Sequence, residues 1–149
     1  MGKLWRIFLT MVFVMVVCAG SVLAAGAGRS YVNVLNSLPQ VGAYVADMPG
    51  YTTLLQRKGY VFEEFHGSIG VAAYQESVDT YGRIESLCIS PRQAVHLDTG
   101  EIAEILHKLS VHYGRPDESA ADKVIWNGST GYKGSFDTKR GIIQMKLTK

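Results

Sequence analysis

The clearest structural signal in the sequence is an amphipathic segment that carries both a start signal and a stop signal. Asp98 followed by Glu101 is the pattern of a capping box, in which each side chain accepts a hydrogen bond from the other residue's backbone N–H. Gly114 and then Pro116 mark the far end. Between them, apolar residues recur at helical spacing along one stripe: Ile102, Ile105, Leu106, Leu109 and Tyr113. The chain must therefore bury one face of a helix here.

Two histidines on this helix raise the question of a metal site. His107 and His112 are five residues apart, which places their rings about 140° apart around the helix axis. A shared metal ion needs the i, i+4 spacing of a motif such as H-E-x-x-H. We therefore interpret His107 as a solvated side chain near Glu104 and His112 as a residue at the margin of the core. The sequence predicts no metal and no cofactor.

Two further helices are predicted before the long one. Ser30 is a helix cap for a segment in which Tyr31 and Leu35 face inward, and Pro39 should end that helix. A second helix is expected from Pro49 to Lys58, with proline in its first turn and glycine just after its end.

The remaining segments have the character of β-strands joined by short turns. Three strands, "YVFEEF", "SIGVAAYQES" and "RIESLCIS", are separated by the turns "HG" and "DTYG". In the second of them, Ile69, Val71 and Ala73 alternate as a core face. After the long helix we expect one strand, a glycine-rich turn that begins at Asn127, and two more strands. In the last strand Ile143, Met145 and Leu147 form the core face, and they alternate with a solvent-exposed face made of Gln144, Lys146 and Thr148.

This order of elements predicts an α+β fold. We expect an antiparallel sheet of about five to six strands with helices packed on one face, preceded by an N-terminal signal helix. The domain would span residues 25–149, with two loosely similar halves at 30–90 and 98–149. In element order the chain resembles the small envelope domains of the SmpA/OmlA lipoprotein type and of the β-lactamase-inhibitor-protein type. That resemblance implies helices against an antiparallel sheet and a function in binding other proteins.

The first 24 residues have the layout of a secretory signal peptide. Lys3 and Arg6 precede an uncharged apolar run that is shorter than the ~20 residues of a membrane span, and Val22 and Ala24 fit a cleavage site. We expect cleavage after Ala24 and a periplasmic or secreted protein. The alternative is an uncleaved anchor, and only then would the protein associate with a membrane.

Removal of residues 1–24 changes what the composition implies. The remaining 125 residues carry 13 basic and 13 acidic side chains, so their formal charge is zero, and no nucleic-acid partner is expected. Cys88 is then the one cysteine left, which excludes an internal disulfide. We interpret Cys88 as a small buried hydrophobic residue.

The search for catalytic motifs favours a protein without enzymatic activity. In "HGSIG" a histidine stands where G-x-S-x-G requires glycine, and the adjacent Glu63 and Glu64 should point to opposite faces of a strand. No phosphate loop, dinucleotide fingerprint or calcium loop occurs in the sequence. The alternative function is a small exported hydrolase with a dispersed site around His66, His96 and the acidic residues in the middle of the chain.

Charge is distributed unevenly along the chain. Residues 60–122 contain 11 acidic and four basic side chains, whereas residues 123–149 contain six basic and one acidic. One interpretation is that the two parts are solvated faces that attract each other. The other is a docking surface for an acidic envelope or secreted protein, with these residues as candidates: Trp126, Tyr132, Lys133, Lys139 and Arg140.

Overall fold

The structure is a computed structural model that describes residues 26–44 and 64–148. Within these residues the chain forms two α-helices and seven β-strands. Helix α1 includes residues 26–35, and α2 spans Thr99–Tyr113. The strands in chain order are β1 (Glu64–Ile69), β2 (Ala72–Val78), β3 (Ile84–Pro91), β4 (Glu118–Ser119), β5 (Lys123–Asn127), β6 (Tyr132–Asp137) and β7 (Ile142–Leu147). The predicted signal peptide and the predicted helix at 49–58 lie outside the described residues.

All strand pairs in the described sheet are antiparallel, and the strand order is β1-β2-β3-β7-β6-β5-β4. The α+β class and the antiparallel sheet are therefore confirmed. The expected count of five to six strands is too low, because β4 was not foreseen. Its two residues, Glu118 and Ser119, are polar and too few to show an alternating pattern.

One face of the sheet is covered by the helices, and the hydrophobic core lies between them. Alternate residues of the strands supply this covered face, among them Tyr74, Leu87, Ile89, Val124, Trp126, Phe136, Ile143 and Met145. From α1, Tyr31 is fully buried, and its hydroxyl donates a hydrogen bond to the carbonyl of Gly141 at 2.6 Å. Lys108 of α2 donates to the carbonyl of Leu35 in α1, which ties the two helices together.

Helix α2 forms as the sequence predicts. The Asp98 carboxylate accepts from the backbone N–H of Glu101 at 2.8 Å, and the Glu101 carboxylate accepts from the Asp98 N–H at 3.1 Å. Ile105, Leu109 and Tyr113 on the predicted stripe are buried, so the apolar pattern did identify the packed face.

Helix α1 differs from the prediction at both ends. Ser30 lies inside the helix rather than at its cap, since residues 26–29 are already helical. The regular helix ends at residue 35 and gives way to a turn, although Leu38 beyond it is still buried.

The predicted hairpin turn at His66-Gly67 is wrong. Both residues lie within β1, and the chain reverses at Gly70 and Val71, where Gly70 adopts a φ of 55°. Because side chains alternate along a strand, this shift also exchanges the two faces. Ala72 and Tyr74 are buried in the core, whereas Val71 and Ala73, expected there, are not.

Apart from β4, the strands after α2 match the prediction closely. The hairpin from β5 to β6 turns directly after Asn127, and Ile143 and Met145 of β7 are buried while Gln144 and Lys146 are exposed. Strand β7 pairs with β3, so the last strand of the chain lies at the centre of the sheet.

Candidate functional site

The strongest candidate for a binding site is the face of the sheet opposite the helices, here called the open face. A shallow depression of about 350 Å³ crosses four strands on this face, and we call it the trough. Polar side chains that line it come from β2, β3, β6 and β7: Gln75, Ser77, Ser86, Lys133, Gln144 and Lys146. Glu76 of β2 also borders the depression, but its side chain is buried. The trough therefore presents hydrogen-bonding groups and positive charge, which is the opposite of the apolar covered face.

The strand register arranges the trough in two rows. In the first row Ser77 pairs with Ser86, Ser86 with Lys146, and Lys146 with Lys133. The second row lies two residues along each strand, about 6.7 Å away, and runs from Gln75 through Cys88 to Gln144 and Ser135. One row thus ends in two positive charges, and the other is uncharged.

The two lysines of the first row carry unbalanced positive charge. Lys133 and Lys146 are direct cross-strand neighbours, and both side chains are exposed. Within the described part of the chain neither forms an ion pair with an acidic side chain. Like charges directly opposite in a sheet destabilise it by a few tenths of a kcal/mol up to ~1 kcal/mol. A bound anion would offset the repulsion between the two lysines.

A larger depression of about 710 Å³ continues from the lysine end of the trough and adds Arg83 and Glu85 to the lining. The Arg83 guanidinium forms an ion pair with Asp79, with 3.2 Å between Nε and Oδ2. Hydrogen bonds from the backbone N–H groups of Arg83 and Tyr81 help to hold the pKa of Asp79 below its usual range. The charge of Arg83 is therefore already neutralised, and Glu85 adds a negative charge at this end.

Cys88 lies in the second row of the trough and is half-buried rather than part of the core. Its neighbours Leu87 and Ile89 face the core, so Cys88 must point to the other face. Its Sγ lies 3.8 Å from the amide nitrogen of Gln144. The prediction that Cys88 is a buried hydrophobic residue is therefore wrong.

Two of the five predicted docking residues have an aromatic ring, and neither ring forms an open aromatic surface. Trp126 is 0% exposed, and its indole N–H donates to the carbonyl of Gly114 at 2.8 Å. Tyr132 is half-buried and packs edge-on against Tyr113, with 4.9 Å between ring centroids. Proximity to turns in the sequence suggested exposure, but both rings stabilise the packing around the end of α2.

The three predicted cations do not form one cluster. Lys133 is near the start of β6, whereas Lys139 and Arg140 lie in the turn after that strand, which ends about 13 Å farther along. Lys139 lies 3.5 Å from the carboxylate of Asp122, and Arg140 lies 3.3 Å from that of Asp137. These two exposed cations are therefore paired with acidic neighbours, and only Lys133 belongs to the trough.

The structure describes the side chains of three histidines, His96, His107 and His112. His107 is exposed on α2, while the Nε2 atom of His112 lies 3.0 Å from the carbonyl oxygen of Val41. His96 is exposed in the segment before α2, next to the buried Leu97. In the part of the chain that the structure describes, no group of three or more His, Cys, Asp or Glu side chains is arranged to hold a metal ion.

Sequence reasoning missed most of the trough. It identified Lys133, and it predicted that Gln144 and Lys146 are solvent-exposed positions of the last strand. It did not bring them together with Gln75 and Ser86, because β7 pairs with β3 across more than 50 residues of sequence. The missing signal was the strand order, which alternation alone does not reveal.

None of the helices within 26–44 and 64–148 has the length and apolar character that a membrane crossing requires.

No known protein family matches the chain, and no curated protein matches it either. Among solved structures, it is similar to a DUF4309 family protein (YjgB) from Bacillus subtilis, with 12% identity and a TM-score of 0.32. The alignment covers 85% of this chain and 99% of the other. A TM-score this low does not establish a shared fold, and the resemblance to the two envelope types remains a prediction.

Proposed function

We propose that the chain is an exported, non-catalytic binding protein that engages another protein through the open face of its sheet. Export is supported by the signal-peptide layout of residues 1–24. The partner we expect is an acidic segment of an envelope or secreted protein. The surface differs from the one expected from sequence, because it centres on the trough rather than on the turn at Lys139 and Arg140.

The observation that carries this proposal is the pair of unbalanced lysines in a polar depression. Lys133 and Lys146 lie side by side and form no ion pair with an acidic side chain among the described residues, whereas Lys139 and Arg140 each form one. A segment that brings a carboxylate to the trough gains attraction to both lysines and removes their mutual repulsion. Complementary charge of this kind also speeds association and helps to select the partner.

The shape of the two faces also favours the open face as the binding surface. The covered face is filled by α1, α2 and the apolar side chains between them, so it offers no room for a partner. The trough is broad and shallow, which suits an extended polypeptide better than a small substrate that must be enclosed.

Site-specific photo-crosslinking in the producing cells tests the surface. A photoreactive phenylalanine analogue at Gln144 or Gln75 should give a covalent adduct with another protein. The matched control is Val111, which is 74% exposed on α2, away from the open face. Adducts from Val111 but from neither trough position would contradict the proposal, and so would the absence of any adduct from the trough.

The export part of the proposal has its own test. Intact-mass analysis of the protein recovered from the extracytoplasmic fraction should give a chain that begins at Ala25. A protein that retains Met1 would show that the leader is not cleaved, and a protein found only in the cytoplasm would contradict export.

A further inference from the structure

We infer that the trough recognises one acidic side chain on an extended peptide, with Lys133 and Lys146 holding the same carboxylate and Gln144 contacting the peptide residue two positions away. This inference rests on the proposed function and specifies the chemistry of the partner. It follows from the spacing of the two rows and from the kinds of side chain in each.

Lys133 and Lys146 lie directly opposite each other on neighbouring strands. Residues directly opposite in neighbouring antiparallel strands have Cβ atoms about 5 Å apart, and a lysine side chain is long enough for two ammonium groups to converge. A carboxylate has two oxygens that accept several hydrogen bonds. One acidic side chain can therefore accept from both ammonium groups and neutralise the charge that the register concentrates there.

The spacing of side chains along β7 matches the spacing along an extended peptide. Lys146 and Gln144 are two residues apart in β7 and point to the same face, about 6.7 Å from each other. Side chains on one side of an extended peptide repeat at the same distance. A peptide that runs along β7 with its acidic residue over the lysines thus places the side chain two positions away over Gln144.

The glutamines of the trough differ from its lysines in their hydrogen-bonding groups. The side-chain amides of Gln144 and Gln75 each offer a donor and an acceptor, unlike lysine, which only donates. They suit an amide or hydroxyl side chain, or a peptide group, rather than a second anion. The preferred motif is consequently an acidic residue and an amide residue separated by one position.

Charge at the rim argues against a polyanion as the occupant. Glu85 lines the lysine end of the open face, and Arg83 is already paired with Asp79. Binding to a polyphosphate or a nucleic acid draws its affinity from several phosphate contacts, whereas the described residues supply only two unbalanced cations to this trough. A short segment with one acidic side chain fits that number.

The probe is a synthetic nine-residue peptide of threonine with Glu at its centre and Gln two positions away, labelled for fluorescence anisotropy. We expect saturable binding that weakens about tenfold when Lys133→Gln and Lys146→Gln are combined, a loss of about 1.4 kcal/mol. The matched control, Lys139→Gln with Arg140→Gln, removes the same charge from the nearby turn and should change binding less than twofold. Circular dichroism of both variants verifies that they fold.

Peptide variants test the geometry. Replacing the Glu with Gln should abolish most of the binding, and moving the Gln to the position next to the Glu should weaken it severalfold. Equal binding of the shifted peptide would contradict the role of Gln144. Tighter binding of inorganic polyphosphate at the same two lysines would identify a polyanion site and overturn the peptide assignment.

The outcomes separate this inference from the proposed function. Unchanged peptide binding in the Lys133→Gln, Lys146→Gln variant, or no saturation in the wild type up to about 1 mM, overturns the acidic subsite. The adducts at Gln144 and Gln75 would then still support a protein partner on the open face. If neither Gln144 nor Gln75 gives an adduct with another protein, the proposed function itself is overturned.

Discussion

The two faces of the sheet use the same strands for different purposes. In β7, Ile143 and Met145 are buried under the helices, while Gln144 and Lys146 between them are exposed on the open face. Alternation along each strand thus places core residues and residues of the proposed binding surface next to each other. Changes at odd and even positions of one strand should therefore have separable effects.

Polar groups on the two faces differ in the same way. On the covered face, Tyr31, Tyr113 and Trp126 are almost fully buried, and each donates a hydrogen bond to a fixed partner. Burial also raises the pKa of both tyrosines well above its usual range, so they remain protonated donors. On the open face, Lys133 and Lys146 have no acidic partner among the described residues. The comparison predicts that the covered face dominates folding and the open face dominates binding.

The largest effect is expected at Trp126. Trp126→Ala removes a fully buried ring and leaves the Gly114 carbonyl without its indole donor, so the free energy of unfolding should fall by about 3–5 kcal/mol. Urea denaturation measures the change. The matched substitution on the open face, Gln144→Ala, should alter stability by no more than about 0.5 kcal/mol. Similar losses of unfolding free energy at both positions would show that the two faces do not differ in their contribution to stability.

A smaller loss is expected at Gly134, which faces the core between Trp126 and Met145. A Cβ here would lie 2.0 Å from the Gln144 carbonyl oxygen and 2.6 Å from the Met145 sulfur, so Gly134→Ala must displace β7 backbone. We expect a destabilisation of about 1–3 kcal/mol, measured by the denaturation midpoint. Ser135→Ala, one residue along on the open face, is the control and should be nearly neutral. A stable Gly134→Ala protein would mean that the two strands pack less closely than this structure shows.

The sequence predicted the carboxyl-terminal half far better than the strands before α2. After α2, the alternation of Ile143 and Met145 with polar residues predicted β7 and its core face. The turn signal at Asn127 predicted the hairpin from β5 to β6. In β1 and β2, the two glycines Gly67 and Gly70 are both plausible turn residues, and local chemistry does not choose between them. The burial of Tyr74, a tertiary effect, settles the register there.

The candidate site was the least predictable part, for a physical reason. Whether an aromatic ring near a turn is exposed depends on what packs over it, and the partner of Trp126 is the end of α2. The trough depends on strand order, since Lys146 and Ser86 are neighbours only because β7 inserts beside β3. A single sequence shows which strand positions face solvent, but not which of these positions become neighbours in the sheet.

Tyr113 provides an intermediate effect on the covered face. Its hydroxyl accepts from the Val41 N–H at 3.0 Å and donates to the Gln40 side chain at 2.7 Å, which holds the segment after α1 against α2. Tyr113→Phe should lower the free energy of unfolding by about 1–2 kcal/mol, because the Val41 N–H loses its acceptor in a buried place. Tyr81→Phe is the control, since Tyr81 is 84% exposed and should show no loss. Equal stability of the Tyr113→Phe protein would indicate that water replaces the hydroxyl.

The smallest effect, and the one with the opposite sign, is expected on the open face. Lys146→Gln removes the repulsion between Lys146 and Lys133, so the protein should become more stable by roughly 0.2–1 kcal/mol at low salt. The gain should disappear in 1 M salt, where charges are screened beyond about 3 Å. Lys139→Gln is the informative control, because Lys139 has an acidic neighbour in Asp122 and its removal should leave stability unchanged or slightly lower. The measurement is urea denaturation of both variants at two salt concentrations. A stabilisation of Lys146→Gln that persists at high salt would arise from packing or strand propensity rather than charge. The trough would then lack the unbalanced positive charge on which the proposed recognition of an acidic partner depends.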